Sequence, residues 1–160
     1  MLSRAVHPAF FSDLDSENFI ACGVLVLTTT SHSVSGLVHA VAKELRQQNL
    51  VSTPAWVSFV KSGSHAERVP QSKEFWFERC ASVLVTVDRR PVGVRRLRNK
   101  YGGRTGNTVS RSHHRKAGGK MVRVAMQQLE KSGLVAKKAK AGRVITPAGR
   151  KLVAKAAKSA

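Results

Sequence analysis

Arg95, Arg96, Arg98, Lys100 and Arg104 crowd around a lone aromatic, Tyr101, and the glycine pair Gly102-Gly103. Guanidinium forks clamp phosphate oxygens in pairs, and a ring stacks on an unpaired base. Glycines let the backbone approach a ligand closely. Arginine dominates over residues 89–115, which favours forked phosphate contacts over bare charge. His113, Arg115 and Lys116 continue the pattern, and Lys120, Arg123 and Arg143 extend it. The chemistry these types perform together is neutralisation of a phosphate backbone.

Other chemistries fit less well. His113 and His114 are adjacent, and neighbouring positions rarely converge on one metal ion; no further ligand cluster lies nearby, so a polar loop is expected. The fragment GGK at 118–120 lacks a glycine five positions before Gly119, and Met121 stands where a phosphate loop needs Ser or Thr. After Asp88 the only carboxylate is Glu130. A general base or a metal site for catalysis has little to draw on there. No enzyme, cofactor, metal or small-molecule substrate is expected.

Charge supports the same direction. Residues 1–88 carry 7 basic and 8 acidic side chains, net −1. Residues 89–160 carry 21 basic and 1 acidic, net +20. A folded segment so charged repels itself unless a polyanion neutralises it, and nucleic acid is the obvious polyanion. A membrane surface is the competitor, but no run of ~20 apolar residues can span a bilayer.

The elements that position these residues are mainly helical. Residues 73–90, KEFWFERCASVLVTVDRR, are the apolar centre. Trp76, Cys80, Val83, Leu84 and Val87 share one helical face, although Val83, Val85 and Val87 also alternate as in a strand. A buried helix is expected, and Arg79 inside it must find partners or reach water. Residues 34–49 form an amphipathic helix capped by Ser33 and ended at Asn49. Thr53 caps a short helix with Pro54 at its first position and Gly63 at its end. Pro91 stops the central segment. Residues 92–104 begin with a helical turn and end in a glycine loop, and residues 105–119 are a polar loop ordered only when bound. Residues 119–132 form a helix with Val122, Ala125, Met126 and Leu129 inward, closed by Gly133. Residues 134–146 are a hairpin turning at Ala141-Gly142, and Thr146-Pro147 starts the last helix. Helices with a hairpin wing suggest a winged helix, which leaves a DNA-binding regulator reading through residues 119–132 open. Against that reading, few base-reading side chains lie on the helix, Gln127 and Arg123 at most.

The first 30 residues read as an N-terminal extension, and 31–160 as a single RNA-binding domain. The run FIACGVLVL at 19–27 is preceded by Asp13, Asp15 and Glu17, so it does not read as a targeting peptide. Cys22 and Cys80, 58 positions apart, are expected to be reduced thiols of an intracellular protein.

From about Ser33 to Leu152 the chain resembles the S-nineteen-e family of small-subunit ribosomal proteins, of archaeal and eukaryotic type. The resemblance rests on PAWVSFVKSG (54–63), FWFERCAS (75–82), RPVGVRRLRNKYGGR (90–104), MQQLEKSGLV (126–135) and GRVITPAG (142–149). It implies a mainly helical, winged-helix-like domain around a central amphipathic helix, seated on ribosomal RNA in the head of the small subunit beside neighbouring ribosomal proteins. It also implies a cytoplasmic location, nucleolar during assembly in a eukaryote, and a part in small-subunit assembly and RNA maturation. Family positions that face RNA correspond here to Arg79, Tyr101, Gly102, Gly103, Arg104, His113 and Arg123. Relatives often carry further arginines where this chain has Val85 and Val124, and some have acidic wings where AKKAKAG (136–142) is wholly basic.

Overall fold

The computed structural model describes residues 33–106 and 111–159. The readings made of the apolar run 19–27, of Cys22 and of the middle of the polar loop at 107–110 lie outside them. Helix α1 spans Val34–Gln47, α2 Phe75–Arg89, α3 Val94–Lys100, α4 Gly119–Lys131 and α5 Pro147–Ser159, with a 3-10 turn at Ala55–Phe59. Strands β1 (Gly103–Arg104) and β2 (His114–Arg115) form one small antiparallel ladder, and β3 (Val135–Lys138) and β4 (Gly142–Ile145) form another. The fold is mainly helical with a small hairpin, as the periodicities require.

Helix α2 is the centre of the core. It packs against α1, α4, α5 and β4. Trp76, Cys80, Ala81, Val83 and Leu84 are fully buried, and Val85, Thr86 and Val87 nearly so. An unbroken buried run from Val83 to Val87 explains why the valines mimic a strand: a helix enclosed on all sides has no polar stripe to reveal its period. Thr86 satisfies its hydroxyl within the helix by donating to the Ser82 carbonyl at 2.7 Å. Arg90 turns extended before Pro91, as a residue preceding proline must.

Trp76 joins three segments. Its ring meets Trp56 edge-on at 5.7 Å. Its Nε1–H donates to the Gln128 side-chain oxygen at 2.9 Å, and the Gln128 amide nitrogen donates to the Ser52 carbonyl at 2.8 Å. Gln128 therefore ties α4 to the 50s loop, which its polar character in a helix sequence did not announce.

Helix ends follow local chemistry. Ser33 Oγ accepts from the Gly36 amide at 3.2 Å. Asn49, at φ 49°, closes α1 with paired bonds Asn49 N–H to Arg46 and Leu50 N–H to Leu45, both 3.2 Å. Gly133, at φ 71°, closes α4 in the same way, through Glu130 and Leu129. Thr146 Oγ1 accepts from the Gly149 amide and donates to the Leu134 carbonyl. Gly149 admits no side chain, because a Cβ would stand 2.4 Å from the Leu134 carbonyl oxygen.

Three expectations shift. The Pro54 segment is a 3-10 turn, with Pro54 extended at the cap and no Thr53 cap bond. The glycine loop after α3 and the polar loop meet in the β1–β2 ladder, with Gly103 opposite Arg115 and Arg104 opposite His114, so the ends of the polar loop are structured without a ligand. Backbone pairing supplied what apolar content could not. The second hairpin turns through Ala139–Ala141, with Lys140 at φ 64°, one step before the expected dipeptide.

Replacing Trp76 by alanine should destabilise the fold by about 3–5 kcal/mol in urea unfolding; a loss under about 1 kcal/mol would put the ring outside the core. Burial pushes the Cys80 thiol up to about 12, the charge of Arg79 opposing less strongly. The neutral thiol thus stabilises the fold at low and neutral pH, and that contribution is lost as pH climbs toward 12. Peptide mapping after iodoacetamide at neutral pH should find Cys80 unmodified in the folded chain and alkylated in urea.

Candidate nucleic-acid interface

Carboxylates are too few to neutralise the cations. Among the described residues, Glu44 pairs with Lys155 at 3.1 Å, Glu130 with Arg143 at 2.6 Å, Asp88 with Arg150 at 3.7 Å, and Glu74 with Arg46. His39 lies 3.7 Å from Glu78. Among the described residues, no other lysine or arginine lies within ion-pair distance of a described carboxylate, so described carboxylates leave most cations of the second half uncompensated.

One groove collects this charge. It has a volume of about 590 Å³ and is lined by Gly93, Arg95, Arg96, Asn99, Lys116, Lys140, Ala141 and Gly142. Three segments build its walls, and backbone bonds fasten them. Val92 and Arg143 exchange amide–carbonyl bonds at 3.2 and 3.1 Å, which locks the β3–β4 hairpin to the entry of α3 and sets Lys140 near Arg95 and Arg96. The Ala117 amide donates to the Arg98 carbonyl at 2.9 Å, which brings Lys116 to the same place. The Gly118 amide donates to the Ser62 carbonyl at 2.8 Å and anchors the segment from behind. The Arg95, Arg96, Lys116 and Lys140 side chains are exposed, and the lining contains no carboxylate.

Other expected contact residues are engaged by neighbouring side chains: Arg79 and Tyr101 are half-buried, and Lys100 is exposed. The Arg79 guanidinium lies 4.4 Å from the Tyr101 ring centre and 5.1 Å from that of Phe75. Burial lowers its pKa, offset in part by Tyr101. Aromatic faces are thus the partners that an arginine inside α2 required. The Tyr101 hydroxyl is 2.9 Å from Ser82 Oγ, so the ring is held within the fold. Lys100 donates to Thr86 Oγ1 and lies 5.5 Å from the same ring. Burial lowers its pKa, and Arg89 and Arg90 lower it further.

Arg98 splits from its neighbours. Its Nε–H donates to the Ala117 carbonyl at 3.0 Å, and its side chain packs over Gly119. The helical step that exposes Arg95 and Arg96 sends Arg98 toward the body. Gly102 serves closeness: a Cβ there would fall 2.3 Å from the Arg115 carbonyl oxygen. Gly103 lies against the His65 ring.

The remaining candidates stand apart from the groove. Arg104, His113 and Arg115 are exposed along the β1–β2 ladder, where the His113 carbonyl accepts from the Thr105 amide at 3.2 Å. Arg123 is exposed on α4, and Lys120 lies 4.9 Å from the Trp56 ring. Arg143 is half-buried on Glu130. Sequence reasoning missed Asn99 and Lys140 as lining residues. The all-basic AKKAKAG hairpin was the available signal for Lys140; nothing in the sequence marked Asn99.

Comparison with known proteins gives a consistent result. Residues 31–160 match the family described as Ribosomal protein S19e. The chain is 42% identical over 120 residues to the small ribosomal subunit protein eS19 of Aeropyrum pernix, covering 73% of this chain and 78% of that one. It is 37% identical over 123 residues to that of Haloarcula marismortui, covering 73% and 80%. The eS19B protein of Schizosaccharomyces pombe is 34% identical over 115 residues, covering 71% and 80%.

Replacing Arg79 by lysine keeps the charge and removes the planar stack. That change should cost about 1 kcal/mol, and alanine about 2 kcal/mol, in urea unfolding. Equal stability of the lysine variant and the parent would show that charge alone holds the site.

Proposed function

This chain belongs to the ribosomal protein S19e family, and from that premise we propose that it is a structural constituent of the small ribosomal subunit, bound to ribosomal RNA in the subunit head. The family is one of structural components rather than enzymes. Residues 31–160 serve as one RNA-binding domain and residues 1–30 as an extension of it. The protein supports small-subunit assembly and RNA maturation, nucleolar in a eukaryote and cytoplasmic afterwards, among neighbouring proteins of the head.

The observation that carries the RNA reading is uncompensated charge on a rigid surface. Arg95, Arg96, Arg104, Arg115, Lys116 and Arg123 are exposed and unpaired with carboxylates among the described residues. They come from α3, the β1–β2 ladder, the strap to α4 and α4 itself. Cations spread over several elements suit the irregular backbone of folded RNA better than one recognition helix suits a DNA groove. Arg79, Tyr101, Gly102, Gly103 and Arg143 act on this surface by positioning it, since each is engaged by neighbouring groups of the fold, and the exposed Lys100 is tethered to Thr86.

Each phosphate contact adds roughly one unit to the log–log salt slope. On a gradient of cell lysate at low salt, the protein should co-migrate with small subunits, and high salt should release it. Recovery solely in the soluble fraction at low salt, with small subunits devoid of it, would overturn the proposal.

A further inference from the structure

We propose that the groove bounded by Arg95, Arg96, Lys116 and Lys140 is a seat for the phosphodiester backbone of a single RNA strand. The inference deepens the RNA-binding reading above and rests on it.

Four features carry it. The four cations stand on three separate segments and border one concavity of about 590 Å³, so they meet a guest from more than one side. That volume lies within the range of ~300–1,000 Å³ typical of sites that enclose a small ligand. A single backbone enters such a space, whereas a duplex offers each phosphate from its outer face only. No described carboxylate lies within ion-pair distance of any of the four cations, and among the described residues the one side-chain hydrogen bond they make is Arg96 to the Pro91 carbonyl, at 3.4 Å. The lining has no large apolar side chain, only Gly93, Ala141 and Gly142 besides the polar groups. An acidic peptide would find charge there but no apolar pocket for an anchor residue. Asn99 adds one amide, a donor and acceptor suited to a base edge or a ribose hydroxyl.

Fasteners away from the charges fix the geometry. The Val92–Arg143 bridge and the Ala117–Arg98 bond hold the walls before any strand arrives. Gly93 leaves the rim open: nothing lies within 4 Å of a Cβ built there, and its φ of −106° suits any residue. A side chain placed at 93 obstructs the groove without altering its charge.

The test uses the full chain and fluorescent octauridylate, titrated across a salt series. Arg95→Ala/Arg96→Ala should flatten the log–log slope by about 1.4 units, roughly 0.7 per lost phosphate on a single strand. Gly93→Gln, with charge unchanged, should weaken binding at least several-fold, after unfolding curves confirm that the variant is folded. The charge-matched control Lys151→Ala/Lys158→Ala, on α5, should leave the slope near that of the parent. Equal losses in the control and the Arg95/Arg96 variant would overturn the seat in favour of diffuse attraction. So would undiminished binding by folded Gly93→Gln, tighter binding of a duplex of equal length, or stronger competition by polyglutamate than by unlabelled octauridylate. Gradient sedimentation of the parent tests the ribosomal reading separately. A parent absent from small subunits, with the Arg95→Ala/Arg96→Ala variant still showing the predicted slope loss, would end that reading and leave the seat standing.

Discussion

Burial of α2 is the constraint from which the rest of the molecule follows. Trp76, Cys80, Leu84 and Val87 sit at the centre of a core drawn from α1, α4, α5 and β4. No disulfide contributes among the described residues, where Cys80 is a free thiol. Apolar contact therefore does the holding, and it must do so against charge. Residues 89–160 carry a net +20, and mutual repulsion of that size disfavours a compact state. The arrangement resolves this by burying apolar groups of the basic half in the same core as α2, among them Leu97, Met121, Val122, Met126, Leu129 and Val153, while Arg96, Lys120 and Arg123 beside them are exposed.

Several basic and aromatic residues serve both sides of that boundary. Arg79 would be a liability in a buried helix without partners, and the faces of Phe75 and Tyr101 supply them. Lys120 covers the Trp56 ring, and the stem of Arg98 covers Gly119. These contacts let a strongly basic sequence keep dense packing, because the apolar stems and the flat guanidinium bury against rings while charge stays near water. The exposed cations then stand on a scaffold whose segments are fastened by backbone bonds such as Val92 with Arg143 and Ala117 with Arg98.

Close backbone approach is the second theme. Gly149 lets α5 start directly against Leu134, and Gly102 lets the β1–β2 ladder close over Arg115. Two such contacts decide where the hairpin and the polar loop lie relative to α3. The glycine-rich motifs of this chain are thus read in the structure chiefly as packing requirements.

Periodicity, caps and charge were legible from residues alone. Ser33, Asn49, Gly133 and Thr146 end or begin helices because the chemistry of a helix terminus is local. The helical character of residues 73–90 and the division of charge near residue 89 followed from composition and spacing in the same way. Tertiary structure alone decided which cations share a surface. Arg95, Arg96 and Arg98 are neighbours in sequence, yet Arg98 is drawn to the Ala117 carbonyl, while Lys116 and Lys140 arrive from far along the chain to join the other two. The reason is physical: those placements depend on backbone bonds between distant segments, Val92 with Arg143 and Arg98 with Ala117, whose partners no local pattern specifies.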